Sequence, residues 1–476
     1  MSKVRFFVLT SVLALCGCTM IPKYKRPEAP VAAQYPGASQ TNAGFAASEL
    51  GWSNFFSDER LKQLIDLALV NNRDLRVAVL NVEQSRAQYR ITRSASFPTV
   101  DASGSFTRSY YGVASGQSVA STSGAAAVAS PSGIYSSQWS ANIGTTAYEL
   151  DLFGHVRSLN SQALEKYLAT AEARRDAQIT LVSEVATEYF TLRQLEEQLQ
   201  VARQTLAAVE ESYRLNKASF DAGEHTELDL RTAEGQVQSA RINILTYERQ
   251  HAEAVNYLVL LVGQPLPENL PAPRAFDDTN LVSVVPAGLP SELLQRRPDI
   301  LEAEHTLKAA NANVGAARAA FFPTISLTAS MGTTSSQLNQ LFGTGTGLWS
   351  FSPQISVPIF TGGQNRADLD SAKAGARIEV ANYEKAIQTA FREVADALAD
   401  RGSYREQLPP QRALANAQQR RFDLATLRYR QGEDTYLNVL SAQQDLYSAQ
   451  QGLVQLQFNI LSADIALYKS LGGGWK

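Results

Sequence analysis

The residues that usually carry chemistry are sparse in this chain. Its four histidines, His155, His225, His251 and His305, are scattered, with no pair at the helical spacing that binds a metal. There is no Walker sequence and no nucleophile triad. The two cysteines, Cys16 and Cys18, lie too close to the amino terminus to form a disulfide framework. The chain is therefore expected to be no enzyme and to need no cofactor or metal. Lys plus Arg number 43 and Asp plus Glu 46, a net charge of −3. This balance lacks the basic excess of a nucleic-acid binder. Mean hydropathy is −0.19, and beyond the first twenty residues no apolar run approaches the ~20 residues of a spanning helix, which excludes a helical membrane protein. A length of 476 residues would suit about three ordinary domains.

The exception is Cys18. Lys3 and Arg5 precede an apolar stretch from Phe6 to Leu15, the charged and apolar regions of an export signal. The stretch ends in Leu15-Cys16-Gly17-Cys18, which resembles the lipobox of bacterial lipoproteins. That resemblance implies cleavage after residue 17 and a covalent lipid on Cys18, with Cys16 discarded. The alternative is an ordinary cleaved signal with an incidental cysteine. Thr19 in place of an aspartate fits the lipoprotein rule for the outer membrane. Acyl chains anchor with about 0.8 kcal/mol per buried methylene.

Self-comparison shows two repeats. Phe97-Pro98-Thr99 matches Phe322-Pro323-Thr324 at an offset of 225, whereas Phe220 to Glu224 matches Tyr429 to Glu433, and Leu261-Val262-Gly263 matches Leu471-Gly472-Gly473, at 209 to 210. One insertion of about 16 residues separates the halves, and the Ser/Gly/Ala-rich run from Thr107 to Ser137 supplies it as a surface loop.

Each repeat reads helix, strand, strand, helix, helix. Strict alternation marks strands at Thr324 to Met331 and Phe351 to Phe360. In the first half, Val100, Ala102 and Phe106 share a face, as do Trp139, Ala141, Ile143 and Ala147. Both a lipid-facing barrel and a half-buried soluble sheet produce this pattern. Long helices are expected over 155–220 and 364–430, each about 100 Å at 1.5 Å per residue. Shorter ones are expected over 57–96, 226–262, 291–321 and 436–470. Val182, Val185, Tyr189, Leu192, Leu195, Leu199, Ala202, Leu206, Val209 and Tyr213 recur every three or four residues, the period of left-handed coiled-coil packing. Pro409-Pro410 predicts a break or kink, with a new helix from near Gln411.

Four strands cannot close a barrel, and open edges are not tolerated in lipid. Several copies are needed, and three would supply twelve strands. Several motifs resemble the outer-membrane efflux channel family: Leu50-Gly51-Trp52 through Asn71-Asn72-Arg73-Asp74-Leu75-Arg76, Tyr148 to Gly154, Arg296-Arg297-Pro298-Asp299-Ile300, Asn313 to Pro323, and Leu471 to Gly474. They are most similar to its lipoprotein branch, typified by OprM. The resemblance implies a mainly α fold with a small β part. It implies a homotrimer with a 12-stranded β-barrel joined to a long α-helical barrel, and partners in a periplasmic membrane-fusion adaptor and an inner-membrane RND-type pump. On this reading residues 1–17 are the signal and 18–56 an acylated segment. Residues 57–97, 155–262, 291–322 and 364–471 form the periplasmic α-barrel and equatorial region, 98–154 and 323–362 the barrel strands, and 472–476 a tail. The chain would passively conduct drugs or other small molecules across the outer membrane. A duct for type I protein secretion and a trimeric coiled-coil adhesin are the alternatives.

A duct must close at rest, and the natural place is the tip, at the turns of Gly223 and Gly432. Both glycines also suit an ordinary left-handed helix terminus. By resemblance, the family's apolar constriction maps to Leu437. Its acidic positions map to Asn438 and Ser441, neither of which is acidic. Glu433, Asp434, Asp445 and Asp229, the repeat counterpart of Asn438, are the remaining carboxylates, with Arg428 and Tyr429 as partners.

Overall fold

The computed structural model describes residues 19–32, 34–35, 50–111, 134–224, 226–276, 282 and 296–475. Cys16, Cys18 and His225 lie outside them. In chain order the elements are α1 (Trp52–Phe55), α2 (Glu59–Asn71), α3 (Arg73–Ser94), β1 (Asp101–Tyr111), β2 (Ile134–Glu149), α4 (His155–Asp221), α5 (Glu227–Val262), α6 (Pro298–Ala319), β3 (Thr324–Ser335), β4 (Gly347–Ser356), α7 (Gln364–Arg430) and α8 (Tyr436–Ser470). Among the described residues no helix is long and apolar enough to cross a membrane. The chain divides into two compact units. One comprises 1–26, 85–167 and 306–379, and the other 27–84, 168–305 and 380–476.

The first unit carries a four-stranded antiparallel sheet in the order β1-β2-β3-β4. The loop expected over 107–137 is strand at both its ends, where residues 107–111 pair with 138–134; residues 112–133 lie outside the described residues. Tyr110 packs on Tyr135 at 4.8 Å and Arg108 lies over the Tyr135 ring. The last strand runs over Gly347–Ser356, not to Phe360. Pro358 lacks an amide donor and restricts Val357, while Pro353 is tolerated because β4 is an edge. Ala147 does not share the Trp139 face: a bulge between Thr145 and Tyr148 inserts one residue, with Ala147 at φ 52°.

The second unit is built on long helices. The whole apolar stripe of α4 from Val182 to Val209 is buried or half-buried, as its period requires. The helix expected over 57–96 is broken. Asn72 ends α2 and begins α3: its backbone N–H donates to Ala68 O, and its Oδ1 accepts from the Leu75 N–H at 2.8 Å. Asn72 Nδ2 then donates to Leu261 O, at the end of α5, at 2.8 Å. The equivalent joint in the second half is Arg297, whose Nη1 donates to Ser470 O, at the end of α8, at 2.9 Å. Asn72 and Arg297 are 225 residues apart, and Leu261 and Ser470 are 209 apart, so both offsets of the repeat meet in one contact. Gly263 (φ 78°) lies against Asn71 O and Gly472 (φ 79°) against Arg296 O. A Cβ would crowd the carbonyl in each case.

Arg297 also binds Asp299 at 2.7 Å and Glu393 at 2.8 Å. Burial opposes its charge, but the two carboxylates outweigh it and hold the guanidinium above its ordinary range. Pro298 at the first helical position starts α6 there, so the helix runs over Pro298–Ala319 within the expected 291–321. Nearby, Phe55 stacks on Tyr468 at 4.0 Å, and a Cβ at Gly473 would collide with the Tyr468 ring.

Pro409 and Pro410 do not break α7, which is continuous from Gln364 to Arg430, so no new helix begins near Gln411. Two amide donors are lost, but α8 holds the helix on both sides of the pair. The buried Asp464 carboxylate binds Arg401 and Arg405, each at 2.9 Å, and Gln411 Nε2 donates to Ala449 O at 3.0 Å.

Asn72→Ala removes one interhelical hydrogen bond and one cap, and is expected to cost about 2 kcal/mol. Arg297→Ala removes the buried hydrogen bond to Ser470 O and two ion pairs to half-exposed carboxylates, and is expected to cost more than Asn72→Ala. Thermal unfolding of both variants, followed by circular dichroism, should give the larger fall in midpoint for Arg297→Ala.

Candidate functional site

Two places on the chain match the needs of a duct, a membrane face and a closure. The candidate for the membrane face is the sheet. Register places Phe106 opposite Trp139, Ile143 opposite Met331, Met331 opposite Trp349, Ala329 opposite Phe351 and Ile325 opposite Ile355. These residues share one face, and most of their large side chains are exposed, Trp349 at 79% and Ile355 at 65%. The other face is polar and tied across strands by side chains: Ser105 with Ser140 at 2.7 Å, Gln138 Nε2 to Thr334 Oγ1 at 3.0 Å, and Ser330 with Ser350 at 2.8 Å. Gly332 lets β2 approach, since a Cβ there would collide with the Ala141 carbonyl. An ordinary soluble sheet buries its apolar face and wets its polar one. Here the apolar face is bare, and among the described residues β1 and β4 have no strand partner on their outer edges.

The closure candidates lie in the second unit, at two turns of identical hydrogen-bond pattern. Glu224 N donates to Ser219 O and Gly223 N to Phe220 O; Glu433 N donates to Arg428 O and Gly432 N to Tyr429 O. Gly223 at φ 83° and Gly432 at φ 75° supply the left-handed residue. Both turns are Schellman motifs.

Beyond the turns the halves diverge. In the first, Asp229 closes a capping box with Thr226, so its carboxylate is engaged in starting α5. In the second, Asp434 accepts from the Asn438 amide and from Thr435 N–H, and pairs with Arg428 at 3.5 Å. The Asn438 hydrogen bond foremost, then the Thr435 amide and the Arg428 charge, holds this carboxyl below its ordinary value. Tyr429 donates to Asn216 Oδ1 at 3.0 Å. Burial first and the nearby Asp229 charge second raise its pKa. Leu437 is 68% exposed.

Ser441 Oγ accepts from Arg421 at 3.2 Å, and the same guanidinium pairs with Asp445. No local signal in the sequence singles out Arg421. Its spacing of 24 residues from Asp445 becomes a contact only through the α7–α8 hairpin. Of the histidines, His155 faces Glu149 at 3.2 Å and His251 faces Glu196 at 3.7 Å.

Residues 64–264 and 289–473 match the family described as outer membrane efflux protein. The chain is 48% identical over 479 residues to the probable efflux pump outer membrane protein TtgC of Pseudomonas putida, covering 100% of this chain and 96% of that one. It is 40% identical over 479 residues to the cation efflux system protein CusC of Escherichia coli, covering 100% of both. The open state of the Neisseria gonorrhoeae MtrE outer membrane channel matches with a TM-score of 0.86 at 40% identity, over 96% of this chain and 99% of that one. These relatives favour efflux over the secretion and adhesin readings. The bare apolar sheet, the helical unit and these likenesses agree: the chain belongs to the outer membrane efflux protein family.

Proposed function

We propose that the chain is the passive outer-membrane duct of a tripartite efflux pump, conducting drugs or other small organic molecules and performing no catalysis itself. The observation that carries this is the sheet whose exposed face is apolar and whose wet face is cross-linked by Ser, Thr and Gln. Three copies would join β1 to β4 into twelve strands, with the apolar face toward lipid and the polar face toward water. A periplasmic adaptor and an RND-type inner-membrane pump complete the path, and the pump supplies the energy. The names of the relatives, which print toluene, solvent, antibiotic and cation efflux, support the efflux role. Cys18 carries the lipid that adds an anchor. In planar bilayers the purified chain should give discrete single-channel steps, and crosslinked protein should migrate as trimers. Absence of conductance from protein that is folded and trimeric would overturn the duct.

At the tip, Leu437 from each copy forms the apolar constriction, and the Arg428–Asp434 pair and the Arg421 link to Ser441 and Asp445 hold α7 and α8 in the closed arrangement. Leu437→Ala should raise resting conductance and antibiotic sensitivity. Unchanged values would place the gate elsewhere. Arg428→Ala should raise conductance less, because Asp434 keeps its Asn438 and Thr435 partners.

The pH dependence has a definite sign. A carboxyl held below its ordinary value contributes above that value and loses its contribution as pH falls through the depressed one. The Asp434 restraint is therefore intact at neutral pH and lost only below about pH 4. Conductance traces recorded from pH 7 to pH 3 should rise only at the acid end, and the Asp434→Asn chain should lack that rise.

A further inference from the structure

Gln443 of α8 is 5% exposed, and neither its Oε1 nor its Nε2 has a hydrogen-bond partner among the described residues. A buried carboxamide without partners is costly, and such groups are few in native chains. The glutamines farther along the same seam are engaged. Gln194 Nε2 donates to Gln455 Oε1 at 2.7 Å, and Gln451 Nε2 donates to Gln198 O at 3.2 Å. From the first pair to the second, α4 advances four residues while α8 retreats four, so the two helices run antiparallel. The next step of four brings Ala202 to the level of Tyr447. Where α4 carries glutamine above, it carries here only a methyl group.

A cavity of about 140 Å³ opens at that level between α4, α5 and α8, and Gln443 lines it. Ala202, Val209 and Ala240 give it a buried apolar floor, while Ser239 and Gln444 are exposed and mark its mouth. Tyr447 and Asn243 also line it, but the Tyr447 hydroxyl is engaged with Tyr247, Asn243 and Gln451. Among the described residues no charged side chain lines the cavity.

This lining defines an occupant. A cavity of about 150 Å³ admits one benzene-sized ring, and the apolar floor suits its faces. An ion would be buried here without a counter-charge, which is strongly unfavourable. A purely apolar ring would leave Gln443 unpaired. A carboxamide on the ring answers both Gln443 atoms at once: its N–H donates to Oε1 and its oxygen accepts from Nε2.

We propose that the cavity between α4, α5 and α8 is a binding site for neutral single-ring carboxamides. Gln443 recognises the amide, and Ala202 is the small residue that leaves room for the ring. Positions 437, 441 and 444 share one face of α8, so the mouth lies about 10 Å along the helix from Leu437. The site stands on the packing of these three helices and depends neither on the duct reading nor on the gate.

The test is a fluorine NMR titration of 4-fluorobenzamide against the purified full chain in detergent. 4-Fluorotoluene and 4-fluorobenzoate in parallel samples report partition into micelles and binding without a neutral amide. The benzamide signal should broaden to saturation with a Kd of about 1 mM or tighter, the range of a ligand this small, and neither control should saturate. Gln443→Met keeps the length of the side chain and should weaken benzamide binding about tenfold or more. Ser239→Phe, a change at an exposed helix position, should block the mouth and abolish saturation. Circular dichroism of both variants should match the parent. A parent that does not saturate holds only water in this cavity and would overturn the site. Equal affinity in Ser239→Phe would overturn its location. Equal affinity in Gln443→Met, or 4-fluorotoluene bound as tightly as the amide, would overturn the role of Gln443.

Discussion

The structure turns on an unmet backbone requirement. Among the described residues, β1 and β4 present rows of amide and carbonyl groups without strand partners on their outer edges, and beside them lies a face of Phe106, Met331, Trp349 and Ile355 open to the surroundings. Water would tolerate the edges but not the face, and lipid would tolerate the face but not the edges. Association of copies edge to edge within a membrane satisfies both together. The cross-strand hydrogen bonds of Ser105, Gln138 and Ser330 then line the watered side.

The helices answer a different requirement. Segments of 67 residues, α4 and α7, are stabilised by stripes against their neighbours and by a few joints. Two of these joints are the same device made twice. Asn72 and Arg297 each stand where a helix starts and reach the last carbonyls of a helix from farther along the same half. The second version adds charge, because Asp299 and Glu393 are at hand to pair with a guanidinium. The Pro409-Pro410 step survives for a related reason. Asp464 with Arg401 and Arg405 on one side, and Gln411 with Ala449 on the other, hold α7 to α8. Tertiary contacts thereby offset an intrinsic cost of about 3 kcal/mol per proline.

The turns at Gly223 and Gly432 are identical as helix ends and differ in the first residues of the next helix. Asp229 is engaged in a capping box, whereas at the equivalent place Asn438 donates its amide and leaves the negative charge on Asp434. A chain with no acid at 438 or 441 therefore still carries carboxylates there, placed one turn either way and each matched to an arginine of α7.

Features with a period or a local signature are legible in the residues alone. The strand alternation, the stripe of α4, the ends of α5, α7 and α8, the turns at Gly223 and Gly432 and the offsets of the repeat all depend on neighbours within a few residues or on self-similarity. Long-range packing settles the interruption at Asn72, the bulge at Ala147, the continuity across Pro409-Pro410 and the Arg421 link. Each depends on a partner at least 20 residues away, and local propensity carries no information about it. Asn72 illustrates the division. Its type suits a cap, but the Leu261 carbonyl, 189 residues later, is what makes it a joint between helices.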